Sequence, residues 1–461
     1  MTIELETQPM PKAAPAGGQE SATVALAREI AETPSSAIPA TATAATRRLA
    51  IDHLGIAYMG AAFTGKGLHA YALDMGGRPD AVLIGSGARV PAEVAASLNA
   101  QFCHVTDFHE TGPGLHVGPL CFHTALAVGQ RVHASGKDVL AASTLGYVLC
   151  GRFHFSRRAD ASVPQQRIVA AAIASRLLGH DTATTARAMS MAAEFPYRAL
   201  AYLGPKTPKR VSPFGTTGFA TRAGVQAALW AEHRVESVAN EIDQWLPEYD
   251  GAQLLQQPTP FHWVDGQMEL KPWVCSRHSQ AAIQAAVDLV REHAIDPRAV
   301  TAVKLRLSSM YRIPHQFEPS PETFLQATLS TQWAIAMVLQ RLPAGPKWLS
   351  AERLADPFSQ RLAALVEIVE DPESTRAYKE LRWLDIRGAA EITAYGKTYA
   401  RDYSIGETYG SPGMDMTEEM VESKFLEATS LSMAGRRAHK LLDAARRIEE
   451  FPDINDLSSL L

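Results

Sequence analysis

A change in hydrophobic period part-way along the chain constrains the fold most. From about residue 20 to 235 apolar residues recur at helical spacing, as in ATRRLAIDHLGIAYMG, where Leu49, Ile51, Leu54, Ile56 and Met59 crowd one side. Between about 255 and 405 a period of two enters. TAVKLRLSS sets Val303, Leu305 and Leu307 against charged neighbours, and AEITAYGKTYARDY alternates again around a hairpin turn expected at Gly396-Lys397. Helical stretches at 279–293 and 330–342 separate these strands, and helix returns after Gly410-Ser411-Pro412. Side chains that share a face at 3.6 residues per turn do not share one at a period of two, so the two regions need different surroundings. The expected fold is mostly α with a smaller α+β domain. A large helical domain is formed by 19–254 and 406–461, the α+β domain by 255–405, and residues 1–18 are a disordered leader. A chain whose two ends meet in one body places a cleft between two bodies, a common place for a small ligand.

Size and charge narrow the function classes. At 461 residues the chain exceeds one ordinary core, and 46% hydrophobic with 20% charged residues is a globular balance. Forty-four basic against 49 acidic residues leave a net charge of −5, without the basic excess that a nucleic-acid partner requires. No apolar run reaches the roughly 18 residues that span a bilayer, and the acid- and proline-containing start is unlike a signal peptide, so no membrane partner and a cytoplasmic location are expected. Cys103, Cys121, Cys150 and Cys275 show no CxxC or Cys/His ligand spacing, which predicts buried thiols rather than disulfides or zinc.

Three polar clusters stand out. HVTDFHETGPGLHVG at 104–118 gathers His104, Asp107, His109, Glu110, Thr111 and His116 in a Gly-rich stretch after a helix. Acids and bases tunable near neutrality suit proton abstraction and leaving-group protonation. Asp and His also bind metals, although no HExxH spacing occurs, and a solvated loop is the plain alternative. KPWVCSRHSQAAIQ at 271–284 sets Lys271, Arg277 and His278 before a helix opening near Ser279, the makings of an anion site or of an ordinary charged surface. GPKTPKRVSPFGTTGFATRAG at 204–224 reads as a Gly/Pro-rich loop with Lys206, Lys209, Arg210 and Arg222 ahead of a helix, but it lacks the GxxxxGK[ST] phosphate loop. His154 near a helix end suits a structural or helix-dipole role.

Several of these segments resemble the MmgE/PrpD family, which includes methylcitrate dehydratases, cis-aconitate decarboxylases and iminodisuccinate epimerases. AIDHLGIAYMGA is similar to its first long helix, and AVLIGSGARVPAEVAASLNAQFCHVTDFHET to its strand, helix and DFDDT active-site stretch. KPWVCSRHSQAAIQAA resembles the lysine-led opening of the smaller domain, and GSPGMDMTEEMVESKF the closing segment, so the resemblance runs from about 20 to 450. DFHE stands here for DFDD, no histidine occupies the family's place near Asp160, and Lys206 or Lys209 is left to replace the lysine of a KPLH-type stretch.

The resemblance implies a two-domain fold, a homodimer, and a site without metal or cofactor. It places Asp107, Thr111 and His116 in the active site and Lys271 on a substrate carboxylate; together with the polar clusters, the expected catalytic residues are Asp107, His116, Thr111 and Lys271, with His104, Lys209, Arg277 and His278 expected to bind substrate. The implied activity is a lyase reaction on a small polycarboxylic acid: a proton is abstracted next to a carboxylate, as in a 2-methylcitrate dehydratase. Decarboxylation or epimerisation by the same residues is the alternative, and a non-catalytic or specialised binder of a carboxylated metabolite is the alternative of another class. Phe214, Phe219 and Trp273 near the mapped site suit a less charged substrate.

Overall fold

Helix starts fall where the chain supplies caps. In the computed structural model, which describes residues 21–112, 118–156, 165–195, 211–312, 317–381 and 385–461 (backbone alone at 211–216, 245–248, 312 and 381), Ser21 accepts from the Val24 N–H to open α1 (Ala22–Glu32). Pro39 and Pro91, which have no N–H to leave unpaired, precede α2 (Ala40–Met75) and α3 (Ala92–Val105). Ser135 and Asp181 cap α5 (Gly136–Phe155) and α7 (Thr182–Glu194), while α4 (Gly118–Val132), α6 (Gln165–Leu177) and α8 (Val211–Glu232) complete the N-terminal set.

The middle of α2 departs from the one-sided burial its pattern predicts. Every residue from Leu49 to Ala61 is buried, Asp52 and His53 included. The cause is company on all sides: α3, α4 and α5 pack against α2, and so do the C-terminal helices Glu418–Thr429 and Gly435–Arg446. A helix enclosed in this way has no solvent face.

A second difference lies in the segment 204–224. Residues 204–210 are outside the described residues, but α8 already begins at Val211, so the Gly/Thr-rich stretch read as loop is helix. Its glycines serve close packing. A Cβ on Gly218 would stand 2.9 Å from the Ser97 carbonyl of α3, and one on Gly224 would stand 2.4 Å from the Arg167 carbonyl of α6. Phe219, on the opposite side, is 72% exposed.

The C-terminal part carries a mixed four-stranded sheet: β3 (Val300–Leu307), β4 (Val366–Glu370), β5 (Arg387–Ala394) and β6 (Lys397–Ser404). Their order is β4-β3-β5-β6, with β3/β4 parallel and the other pairs antiparallel; β1 (Ala81–Val82) and β2 (Arg89–Val90) form a separate short ladder. Val303, Leu305 and Leu307 turn inward as their alternation predicts, and the helices Gln280–Glu292 and Thr331–Leu339 cover the sheet. Ala394 pairs with Lys397, so the turn residues are Tyr395 and Gly396, one position before the expected pair. Both have positive φ (55° and 73°), the geometry of a two-residue hairpin turn. The fold is thus mostly helical with a smaller α+β part. All four cysteines are buried free thiols, and no helix among the described residues is long and apolar enough to cross a membrane.

Candidate active site

The site is built where α3 ends. His104 occupies its last turn, Thr106 terminates it, and Asp107 reverses the chain with φ +51°. That backbone conformation is unfavourable for a residue with a Cβ, though Asp tolerates it better than most. The reversal carries Phe108, His109 and Glu110 back into the core, each fully buried. Thr111 then forms an antiparallel bridge with Glu269, each N–H donating to the other's carbonyl at 2.8 Å.

That bridge aligns the two clusters that the sequence separates by some 160 residues. Two positions beyond Glu269, Lys271 reaches back to Asp107: its ammonium donates to the Asp107 carbonyl and lies 3.4 Å from the carboxylate oxygen Oδ2. It also donates to the Cys275 carbonyl at 3.4 Å. Lys271 and Asp107 are both 2% exposed, so the attraction between them is little screened by water. His104 and His109 stand edge to face, ring centroids 4.7 Å apart, and His104 Nδ1 is 2.6 Å from the Thr217 hydroxyl of α8. Thr111 donates its hydroxyl to the Gly112 carbonyl.

Arg277 stands differently from the anion-site expectation. Its guanidinium grips Glu269 with two parallel bonds of 2.6 and 2.5 Å, both partners buried, so its charge is already matched. The pair braces the segment that presents Lys271. His278 is buried edge-on to Tyr378, centroids 5.5 Å apart. His116 and Lys209 lie outside the described residues.

A second buried cluster adjoins the first. His53 of α2 bonds to the Glu110 carboxylate, and Lys424, from the helix Glu418–Thr429, lies 2.6 Å from Asp52. Glu110 presses on the start of α4: a Cβ on Gly118 would fall 1.4 Å from its Oε1, so a larger residue there would force the Glu110 carboxylate to move. Burial raises the Glu110 pKa, opposed by His53; burial lowers that of Lys424, opposed by Asp52. His123 beside them is held well below the ordinary histidine value by burial and by the His53 charge.

Among the described residues, two trios have ligand atoms close enough to share a metal ion: His104, Asp107 and His109, and Asp52, His53 and Glu110. In each, a lysine ammonium already sits against a carboxylate, Lys271 on Asp107 and Lys424 on Asp52. A divalent ion would have to share that carboxylate with a like charge.

Family models for the MmgE/PrpD N-terminal domain and the MmgE/PrpD C-terminal domain match residues 24–244 and 273–450. The chain belongs to the MmgE/PrpD family. Members of this family are generally lyases or related enzymes. No curated protein matches the chain. Lys271 falls between the two matched segments, and the Thr111–Glu269 bridge couples it to Asp107 in the first of them.

Sequence reasoning passed over Asp52, His53, Glu269 and Lys424. Asp52 and His53 were legible as two polar residues interrupting the apolar run Leu49–Met59. Lys424 shares helical spacing with Val421, Phe425 and Ala428, all buried, which marks it as a core position rather than one of the charged outer faces. Glu269 carried no such signal.

Proposed function

We propose that this MmgE/PrpD protein is a cofactor-independent lyase acting on a small polycarboxylic acid, by proton abstraction next to a carboxylate, with a 2-methylcitrate dehydratase-like reaction as the leading case. The observation that carries the reading is the buried Asp107–Lys271 pair, joined by the Thr111–Glu269 bridge and flanked by His104 and His109. A proton α to a carboxylate is very weakly acidic, so the charge that forms when it leaves must be stabilised in place. A lysine ammonium fixed in a buried site supplies that stabilisation without reorganising. Asp107 and His116 share the acid and base roles, Thr111 orients the substrate, and His104, Lys209 and His278 contribute to carboxylate binding. Arg277 acts by bracing Lys271 through Glu269. The same groups serve decarboxylation or epimerisation, because each passes through charge beside a carboxylate. The working unit is a homodimer and the location cytoplasmic.

Proton NMR in D₂O tests this reading, using chelator-treated protein with citrate, methylcitrate, cis-aconitate and a chiral aspartate-like diacid. Turnover of one acid is expected, with deuterium entering next to a carboxylate in a decarboxylated or epimerised product, or in substrate re-formed by reversal of a dehydration, and the acid that reacts selects among the three reaction types. Folded protein that neither converts nor exchanges a proton of any of the four would overturn the proposal.

A further inference from the structure

The turn that carries Asp107 is held from two sides by ammonium groups on consecutive carbonyls. Lys271 donates to the Asp107 carbonyl, and Lys424 donates to the Phe108 carbonyl at 3.0 Å while standing 4.2 Å over the Phe108 ring. Lys424 comes from a C-terminal helix and Asp52, its 2.6 Å partner, from the middle of α2, so elements distant in sequence converge on one peptide unit. Side chains of both are at most 5% exposed. Asp107 keeps its left-handed backbone only if its surroundings over-determine it, and a carbonyl held by a buried cation is such a constraint.

We infer that Lys424, with Asp52 as its counter-ion, is a positioning pair for the reaction: it fixes the Phe108 carbonyl and so aims the Asp107 carboxylate, without touching substrate. The inference rests on the proposed role of Asp107. Because Asp52 balances the charge of Lys424, the pair contributes geometry rather than net field. Its loss therefore weakens the chemical step and leaves substrate binding nearly untouched, since displacing a reacting group by about 1 Å can cost on the order of 100-fold in rate.

Two full-length variants test it. Lys424→Arg keeps a positive charge beside Asp52 but replaces the ammonium on the Phe108 carbonyl with a larger, planar donor of different geometry. Asp52→Asn/Lys424→Met removes both charges together and leaves no buried ion alone. For the acid that wild type turns over, each variant is expected to lose kcat by roughly 100-fold with KM within about twofold and Tm nearly unchanged for Lys424→Arg. Amide hydrogen exchange in the 104–112 peptide is expected to accelerate by about tenfold or more, with α6 unaffected. Wild-type kcat, or wild-type protection of 104–112, in both variants overturns the inference. If wild type turns over none of the acids, the proposed function fails while hydrogen exchange still decides whether Lys424 holds the turn.

Discussion

Asp107 concentrates three unusual properties in one residue: burial, a left-handed backbone and a lysine on both its carbonyl and its carboxylate. Asp107→Asn keeps the shape and removes the base, so turnover is expected to fall by at least about 100-fold in the NMR assay. Lys271→Ala is expected to raise KM sharply and to lower kcat as well, because it also strips Asp107 of its counter-ion; steady-state kinetics separates the two effects. His123 makes a different prediction. Neither of its ring nitrogens has a hydrogen-bond partner among the described residues, and burial keeps it neutral well below the ordinary histidine value of 6.5. Below pH 6.5 the unfolded chain takes up a proton there that the folded chain refuses. Stability therefore falls as the solution is acidified, by up to about 1.4 kcal/mol per pH unit for this one group. Urea melts of His123→Leu between pH 6.5 and 5 are expected to show a shallower slope than wild type.

At the scale of elements, packing decides what a glycine is worth. Gly67 lies on α2 with open space where a Cβ would go, so Gly67→Ala is expected to stabilise by about 0.5–1 kcal/mol through helix propensity. Gly224 on α8 meets the Arg167 carbonyl and the Ala170 methyl, and Gly224→Ala is expected to destabilise by about 1–3 kcal/mol despite the same gain in propensity. Opposite signs in urea denaturation check the pair. The same contrast bears on the first half of α8, whose Gly/Thr-rich sequence reads as loop. Its Gly and Thr residues look like loop by local preference, yet they are helix because α3 and α6 approach too closely for larger side chains.

For the molecule as a whole, the buried Glu269–Arg277 pair links the segment bearing Lys271 to the first turns ahead of the Gln280–Glu292 helix. Glu269→Gln leaves a guanidinium in the interior without its counter-charge, expected to cost about 3–5 kcal/mol. Glu269→Gln/Arg277→Met is expected to recover much of that loss, and the two melting curves decide it.

Periodicity along the chain determined which segments became helix and which became sheet, because face-sharing at 3.6 or 2 residues is a local property. The strand alternation at Val303, Leu305 and Leu307 was legible for that reason. Polar clustering likewise set Asp107, Thr111 and Lys271 apart from their neighbours, and the family resemblance supplied the roles expected of them. Only the tertiary structure decided that Asp107 and Lys271 meet, that Arg277 faces Glu269, that Asp52 meets Lys424 and that His53 meets Glu110. The partners run from eight positions apart, as in Arg277 and Glu269, to more than 160, as in Asp107 and Lys271 and in Asp52 and Lys424, and which buried charges meet is set by how the helices enclose α2 rather than by the spacing along the chain.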